Sequence, residues 1–144
     1  MRLCNLLAAA ALLAGCATHP PSPAPDADAQ ARLFRPVADK AVVYILRDSG
    51  DLFIRDVRVA VDGKTVGETQ PNTYMRLEID PGKHVIVSYT DPPAILELNT
   101  LPGGMYYVWQ DITPERIREH SALRLVDNTT ARATLGSATI VQAK

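Results

Sequence analysis

The chain has 144 residues, 22% of them charged, and a formal net charge of −1. Its basic and acidic side chains are scattered and nearly balanced, so it lacks the basic surplus that nucleic-acid binding or a patch for anionic membranes requires. A chain of this length builds one hydrophobic core and therefore one domain.

Residues 1–15 have the features of a secretory signal peptide. Arg2 supplies a positive charge, and residues 3–13 are nearly all apolar. This run is shorter than the about 20 apolar residues that span a bilayer as a helix. It ends in the sequence LAGC at residues 13–16, which resembles the lipobox of bacterial lipoprotein signal peptides.

The lipobox resemblance implies that Cys16 is lipidated. A thiolate is a strong nucleophile, which suits cysteine to accept a diacylglyceryl group as a thioether. Cleavage before Cys16 and acylation of its new amino group complete such an anchor, and more than one acyl chain gives stable attachment. Ala17 is not aspartate, which in enterobacteria-like sorting favours the outer membrane over the inner membrane, and we expect the protein on the periplasmic face of the outer membrane. An ordinary signal peptidase acting at these small residues would instead release a soluble periplasmic protein.

Cysteine usage limits the chemistry of the mature chain. Of the two cysteines, Cys4 lies in the signal peptide and Cys16 carries the lipid. The remaining domain is then expected to have no disulfide, no cysteine nucleophile and no thiolate metal site. Loss of Arg2 with the leader lowers the basic count from 15 to 14, against 16 acidic residues, and leaves a net charge of −2.

Residues 16–39 are interpreted as the lipidated N-terminus and a proline-rich tether. The prolines between residues 20 and 25 favour a stiff, extended chain that holds the domain off the membrane. Residues 26–33 are also compatible with a short helix that has an aspartate N-cap.

Residues 40–144 are predicted to form a β-sandwich domain. The sequence KAVVYILR at 40–47 is apolar on both faces, as expected of a central strand. Elsewhere apolar and polar side chains alternate with period two, which predicts strands with one buried face. The alternating segments are 57–62, 73–80, 84–89 and 105–110, with shorter candidates at 96–98, 123–125 and 139–142.

Turn signals separate these strands at residues 62–64, 80–83 and 102–104, where glycine follows aspartate or proline. Strands at this spacing predict a small antiparallel β-sandwich, Ig-like or transthyretin-like, with one or two short helices. The sequence TPE at 113–115 predicts a helix start, with a helix to about residue 120. Residues 128–135, stopped by Gly136, predict another.

Several segments together resemble the family of bacterial lipoproteins numbered 2846 among domains of unknown function. The resemblance covers most of residues 40–126, and its middle part is similar to a PEGA-type module, with turns at 62–64 and 81–83. It implies a sandwich fold and a surface lipoprotein, and it carries no catalytic residues. The segments are KAVVYILR, VRVAVDGKTVGET, YMRLEIDPGKH and GGMYYVW.

No constellation of residues in the sequence points to catalysis. The three histidines lack the spacing of convergent metal ligands. His84 is expected on the outward face of a strand, with a structural role. Ser88 near His84 and Asp80 or Asp91 suggests a triad only weakly, because the Gly-x-Ser-x-Gly turn is missing. We therefore predict no enzyme, no catalytic residue, no metal site and no cofactor.

A candidate binding surface consists of Phe53, Ile54, Tyr74 and Tyr106. Phe53 and Ile54 lie in the otherwise charged connection DSGDLFIRD, and connections carry recognition more often than core strands do. Tyr74 and Tyr106 fall on outward faces by alternation, where exposed tyrosines mark interfaces. For residues 52–54, the favoured alternative is that they tuck under the sheet and cap the core. The tyrosines are equally able to cover a second sheet or to pack against the C-terminal segment.

Three hypotheses on function follow from these patterns. The leading one is a lipid-anchored cell-envelope protein that is a non-enzymatic interaction module, bound to the membrane through Cys16 and acting on an envelope protein or polymer, with no nucleic-acid partner. The alternative is a periplasmic small-ligand-binding or carrier lipoprotein with a pocket between sheet and helix. An enzyme of unrecognised type is the third, and it requires convergent titratable groups in a cleft.

Overall fold

The computed structural model describes residues 25–48, 55–115, 118–141 and 143. Two β-sheets pack face to face, and two short helices cover one outer face, so the predicted small β-sandwich is confirmed. The elements in chain order are α1 (Pro25–Ala31), β1 (Ala41–Arg47), β2 (Val57–Val61), β3 (Lys64–Thr69), β4 (Thr73–Ile79), β5 (Gly82–Ser88), β6 (Ala94–Thr100), β7 (Met105–Glu115), β8 (Arg118–Val126), α2 (Asn128–Leu135) and β9 (Thr139–Ile140).

Sheet A has the strand order β8-β7-β1-β4-β9, and sheet B has the order β3-β2-β5-β6. All residues of β1 are buried, as its continuous apolar sequence predicted. This strand pairs antiparallel with β4 and parallel with β7. The pair β4 and β9 is also parallel. The sandwich is therefore antiparallel except at these two pairs of sheet A.

The main core lies between the sheets and is built by inward-facing aliphatic side chains. Alternation along each strand sends every second residue into this layer, where burial of apolar surface stabilises the fold. Sheet A contributes Val43, Ile45, Met75, Leu77 and Val108, and sheet B contributes Val59, Val61, Val66, Ile86 and Leu98.

A second apolar layer lies between the outer face of sheet A and the helices. The ring of Tyr44 packs 5.4 Å from that of Tyr107 and 5.5 Å from that of Phe34, centroid to centroid. Ala31 of α1 and Leu135 of α2 are buried against these rings. The part of the predicted tether that begins at α1 therefore belongs to the folded domain, because its apolar side chains complete this layer.

Arg32 fixes α1 to the C-terminal end of α2. Its Nη1 donates to the carbonyl of Leu135 at 2.5 Å, and its Nη2 donates to the carbonyl of Ala138 at 2.6 Å. Its Nε donates to Asp28 at 2.7 Å within α1. The three bonds occupy the planar donor fork of the guanidinium, which a lysine does not reproduce.

The helix predicted over residues 113–120 is wrong, because this segment is a β-hairpin. Thr113 pairs with His120 across β7 and β8. Pairing along the whole hairpin outweighs the local helix-start signal, which is a weak preference when tertiary contacts are available. The helix predicted at 128–135 is confirmed as α2, whose N-cap Asp127 accepts bonds from the amides of Thr129 and Thr130.

The two sheets contact each other along one side of the sandwich and leave an opening along the other. On one side, β8 lies against β6, and the hydroxyls of Thr90 and Ser121 are 2.7 Å apart. On the other side, β3 of sheet B faces β4 of sheet A across an opening. Among the described residues, no helix is long and apolar enough to cross a membrane.

Candidate functional site

The outer face of sheet B presents an exposed apolar surface. Val85, Tyr89 and Ile95 are 40%, 41% and 63% exposed. Val87 pairs with Ile95 across β5 and β6, and alternation places both on this same outward face. We call these four side chains the outer patch. Sheet A differs, because its outer face is covered by α1 and α2.

Polar groups border the outer patch. The guanidinium of Arg58 lies 4.2 Å from the ring centroid of Tyr89, a cation–π contact that orients both side chains. Glu97 pairs with Val85, and Lys83 pairs with Asn99, on the outward face of the same strands. An apolar centre with a polar rim is the usual composition of a protein–protein contact surface.

The alternation in residues 84–89 predicts that Val85, Val87 and Tyr89 face the core, and this prediction is wrong. His84, Ile86 and Ser88 point inward instead, and Ile86 and Ser88 are fully buried. Both faces of β5 carry apolar residues, so period-two alternation does not distinguish them. Ile95 on the paired strand marks the outward face, but the pairing is not visible in the sequence.

The two predicted binding residues that the structure describes, Tyr74 and Tyr106, are not exposed. Tyr74 is fully buried beneath α1, and its hydroxyl donates to Asp28 at 2.6 Å. Burial raises the pKa of Tyr74 well above its usual value, and the bond to Asp28 adds to the shift. Tyr106 packs against the core between the sheets, and its hydroxyl accepts a bond from the amide of Leu101 at 2.9 Å. Phe53 and Ile54 lie outside the described residues.

A cleft of about 530 Å³ opens between the sheets where β3 faces β4. We call it the end cleft. Its apolar lining comes from both sheets and its rim is charged. The apolar residues are Val61, Val66, Leu77 and Ile79, and the charged ones are Lys40, Asp62, Lys64, Glu78, Asp80 and His84.

His84 lines the end cleft and is held at both ring nitrogens. Nδ1 is 2.7 Å from Oδ2 of Asp62, and Nε2 is 2.7 Å from the carbonyl oxygen of Asp80. Both partners are acceptors, so the protonated imidazolium satisfies both contacts. Burial lowers the pKa of His84, but the bonds to Asp62 and Asp80 outweigh it and the net shift is upward.

The other rim charges are largely paired. Lys40 Nζ lies 2.6 Å from Asp80, and Arg76 Nη1 lies 2.6 Å from Glu78. The pKa of Asp62 is lowered by the bond from His84 and by the bond from the amide of Val85. A second cleft of about 420 Å³ adjoins His84 on the β6 side, next to Glu97.

The structure buries the serine considered as a nucleophile. Ser88 is 0% exposed and accepts a bond from Gln110 Nε2 at 2.7 Å. Gln110 in turn accepts a bond from the hydroxyl of Thr69 at 2.6 Å. These side chains form a buried polar network, so Ser88 is not placed to attack a substrate. Within the described ranges, no group of three histidine, cysteine or acidic side chains is arranged to hold a metal ion.

Comparison with family models, with curated proteins and with solved structures found no match for the chain. The function is therefore argued from the chain's own residues.

Proposed function

We propose that the chain is a lipid-anchored cell-envelope protein that acts as a non-enzymatic interaction module. The observation that carries this proposal is the outer patch, where three large apolar side chains lie 40% to 63% exposed on one sheet face. Apolar surface of this kind is costly in water and marks contact sites. The signal-peptide pattern ending at Cys16 supports the envelope location and the lipid anchor.

The position of the anchor relative to the outer patch favours a partner other than the bilayer. Residues 17–24 join Cys16 to α1, and a chain of this length spans at most about 30 Å. Because α1 packs on the outer face of sheet A, the anchor joins the domain on the side opposite the outer patch. The outer patch is thus directed away from the anchored side, toward partners in the periplasmic space.

The chemistry of the outer patch favours a protein partner over a polymer of sugars. Its centre is aliphatic, and one face of its one aromatic ring, Tyr89, is occupied by Arg58 at 4.2 Å. The guanidinium leaves less free aromatic surface on which a sugar could stack. An apolar centre without charge, next to a tyrosine and a bordering arginine, matches the composition of protein interfaces.

In-cell photo-crosslinking from position 95 tests the proposal. We expect one dominant protein adduct from position 95. The double variant Val85→Asp with Ile95→Asp is tested with the crosslinker at position 87, and we expect it to form no such adduct. Leu125→Asp is the matched control, because Leu125 is 50% exposed on β8 outside the outer patch. Cys16→Ala removes the anchor and is expected to reduce the adduct. Adducts that survive the double substitution, or that contain only glycan, contradict the proposal.

A second candidate function is binding of a small ligand, and the end cleft favours it. The pocket predicted between sheet and helix is occupied by the rings of Phe34, Tyr44 and Tyr107. The opening lies between the two sheets instead. Its volume of about 530 Å³ falls in the range of small-molecule sites.

A further inference from the structure

Residual exposure in the main core is concentrated at the end cleft. Val61, Val66 and Leu77 are 7%, 8% and 7% exposed, whereas Ile45 and Val108 at the centre are 0% exposed. The three side chains come from both sheets and all line the end cleft. An apolar chain seated there would cover the part of the core that the sandwich itself leaves in contact with water.

The charges of the rim indicate the head group. Asp80 pairs with Lys40 and Glu78 with Arg76, while Asp62 is bonded by His84, which adds a positive charge only when it is protonated. Lys64 alone among the charged rim residues has no ion pair within the described part of the chain. Its ammonium is therefore the rim cation that is left to meet an anionic group on the ligand.

We propose that the end cleft binds a single acyl chain with an anionic head group, the chain lying on Val61, Val66 and Leu77 and the head group on Lys64. Both free fatty acids and single-chain phospholipids have this chemistry. A cationic ligand is disfavoured, because Asp80 and Glu78 already have cationic partners and both oxygens of Asp62 are already bonded, by His84 and by the amide of Val85. The site is separate from the outer patch, so this proposal and the interaction module stand or fall independently.

A binding series with the full-length Cys16→Ala chain tests the proposal. Sodium octanoate, decanoate and dodecanoate are titrated below their micellar concentrations and followed by methyl NMR. Each added methylene that reaches the apolar lining is expected to tighten binding about fourfold. Methyl shifts are expected at Val61, Val66, Leu77 and Ile79. Binding that does not depend on chain length, or shifts confined to the outer patch, overturns the proposal.

A comparison of two lysine substitutions tests recognition of the head group. Lys64→Gln is expected to weaken dodecanoate binding about three- to fivefold, as loss of a partly exposed ion pair does, and to leave binding of dodecanol unchanged. Lys83→Gln is the matched control, since Lys83 is exposed on β5 outside the end cleft. Equal effects of the two substitutions overturn the proposal. Tighter binding of lysophosphatidylglycerol than of dodecanoate supports it and identifies the source as a phospholipid.

Discussion

The imidazole of His84 joins β5 to the β2–β3 turn, because its Nδ1 lies 2.7 Å from Oδ2 of Asp62. Asp62 also accepts a bond from the amide of Val85 at 2.8 Å through Oδ1, so its carboxylate bridges two consecutive residues of β5. The other ring nitrogen of His84 contacts the carbonyl oxygen of Asp80 in the β4–β5 turn. One side chain thus connects turns from both sheets at the end of the sandwich.

This arrangement predicts that stability depends on the protonation of His84. Its pKa is raised in the folded state, since the bonds to Asp62 and Asp80 outweigh burial. Its contribution is therefore fully present below the unfolded value of about 6.5 and is lost as pH rises through the folded value. The folded pKa of Asp62 is lowered, so its contribution is lost only as pH falls through that lower value.

We expect His84→Ala to lower the free energy of unfolding by about 1 kcal/mol near pH 6 and by less near pH 9. Urea unfolding across that range measures the difference, and NMR titration of the imidazole measures the pKa. His120→Ala is the control for loss of a histidine outside this contact. A cost for His84→Ala that stays constant with pH would show that the imidazolium contacts do not stabilise the fold.

The buried polar network predicts strong coupling between Gln110 and Thr69. Gln110 is 1% exposed, accepts from Thr69 and donates to Ser88. Gln110→Ala leaves both hydroxyls without this partner and opens a cavity, so we expect a loss of about 3 kcal/mol. Gln110→Leu fills the space and is expected to cost about 2 kcal/mol.

A double-mutant cycle measures this coupling by urea unfolding. Thr69→Val alone leaves Oε1 of Gln110 without its donor, whereas Thr69→Val with Gln110→Leu removes both partners. The double variant is expected to cost at least about 1 kcal/mol less than the sum of the single variants. Strict additivity is the result that contradicts a direct contact between the two side chains.

Much of the sandwich could be predicted from sequence because its strands have local signatures. The central strand KAVVYILR, the turn at 62–64 and the helix at 128–135 each lie where the pattern indicates. The helix expected from residue 113 failed for a physical reason. The pairing of β7 with β8 runs from Tyr107–Val126 to Glu115–Arg118. A helix-start rule that uses only neighbouring residues does not account for this long-range pairing.

The candidate sites were harder to predict because they depend on how elements are layered. Alternation identified Tyr74 as outward from the main core, but it did not show that α1 covers that face and bonds the hydroxyl through Asp28. Likewise, Val85 and Val87 have the sequence of a buried face. Only the folded structure, in which Val85 is 40% exposed on the outer face of sheet B, shows that no described element is layered over that face.

The β2–β3 turn predicts a backbone cost for substitution of Gly63. Asp62 and Gly63 have φ of 52° and 78°, which is the left-handed geometry of a two-residue hairpin turn. A Cβ at Gly63 would meet nothing within 4 Å, so the cost of Gly63→Ala is conformational. We expect thermal unfolding to show a loss of about 1 kcal/mol for Gly63→Ala and less for Gly63→Asn. Equal losses for both would contradict a cost set by φ.

The contact of Arg32 with the end of α2 predicts how firmly α1 is held to the sandwich. Arg32→Lys replaces three bonds with at most one or two, so we expect a loss of about 2 kcal/mol and faster amide exchange in α1. Arg124→Lys is the matched control, because Arg124 is exposed on β8 and its ion pair with Asp111 is worth little. Hydrogen exchange of residues 26–31 and urea unfolding make the comparison.

The same substitution connects stability with the proposed function. If α1 detaches from sheet A, the chain that links Cys16 to the sandwich lengthens from residues 17–24 to residues 17–40. With the proposed lipid anchor on Cys16, the outer patch would then gain freedom to turn toward the membrane. We therefore expect Arg32→Lys to reduce the protein adduct formed from position 95 and to add lipid adducts. Unchanged exchange in α1 would instead show that the apolar contacts of Ala31 and Phe34 suffice to hold it.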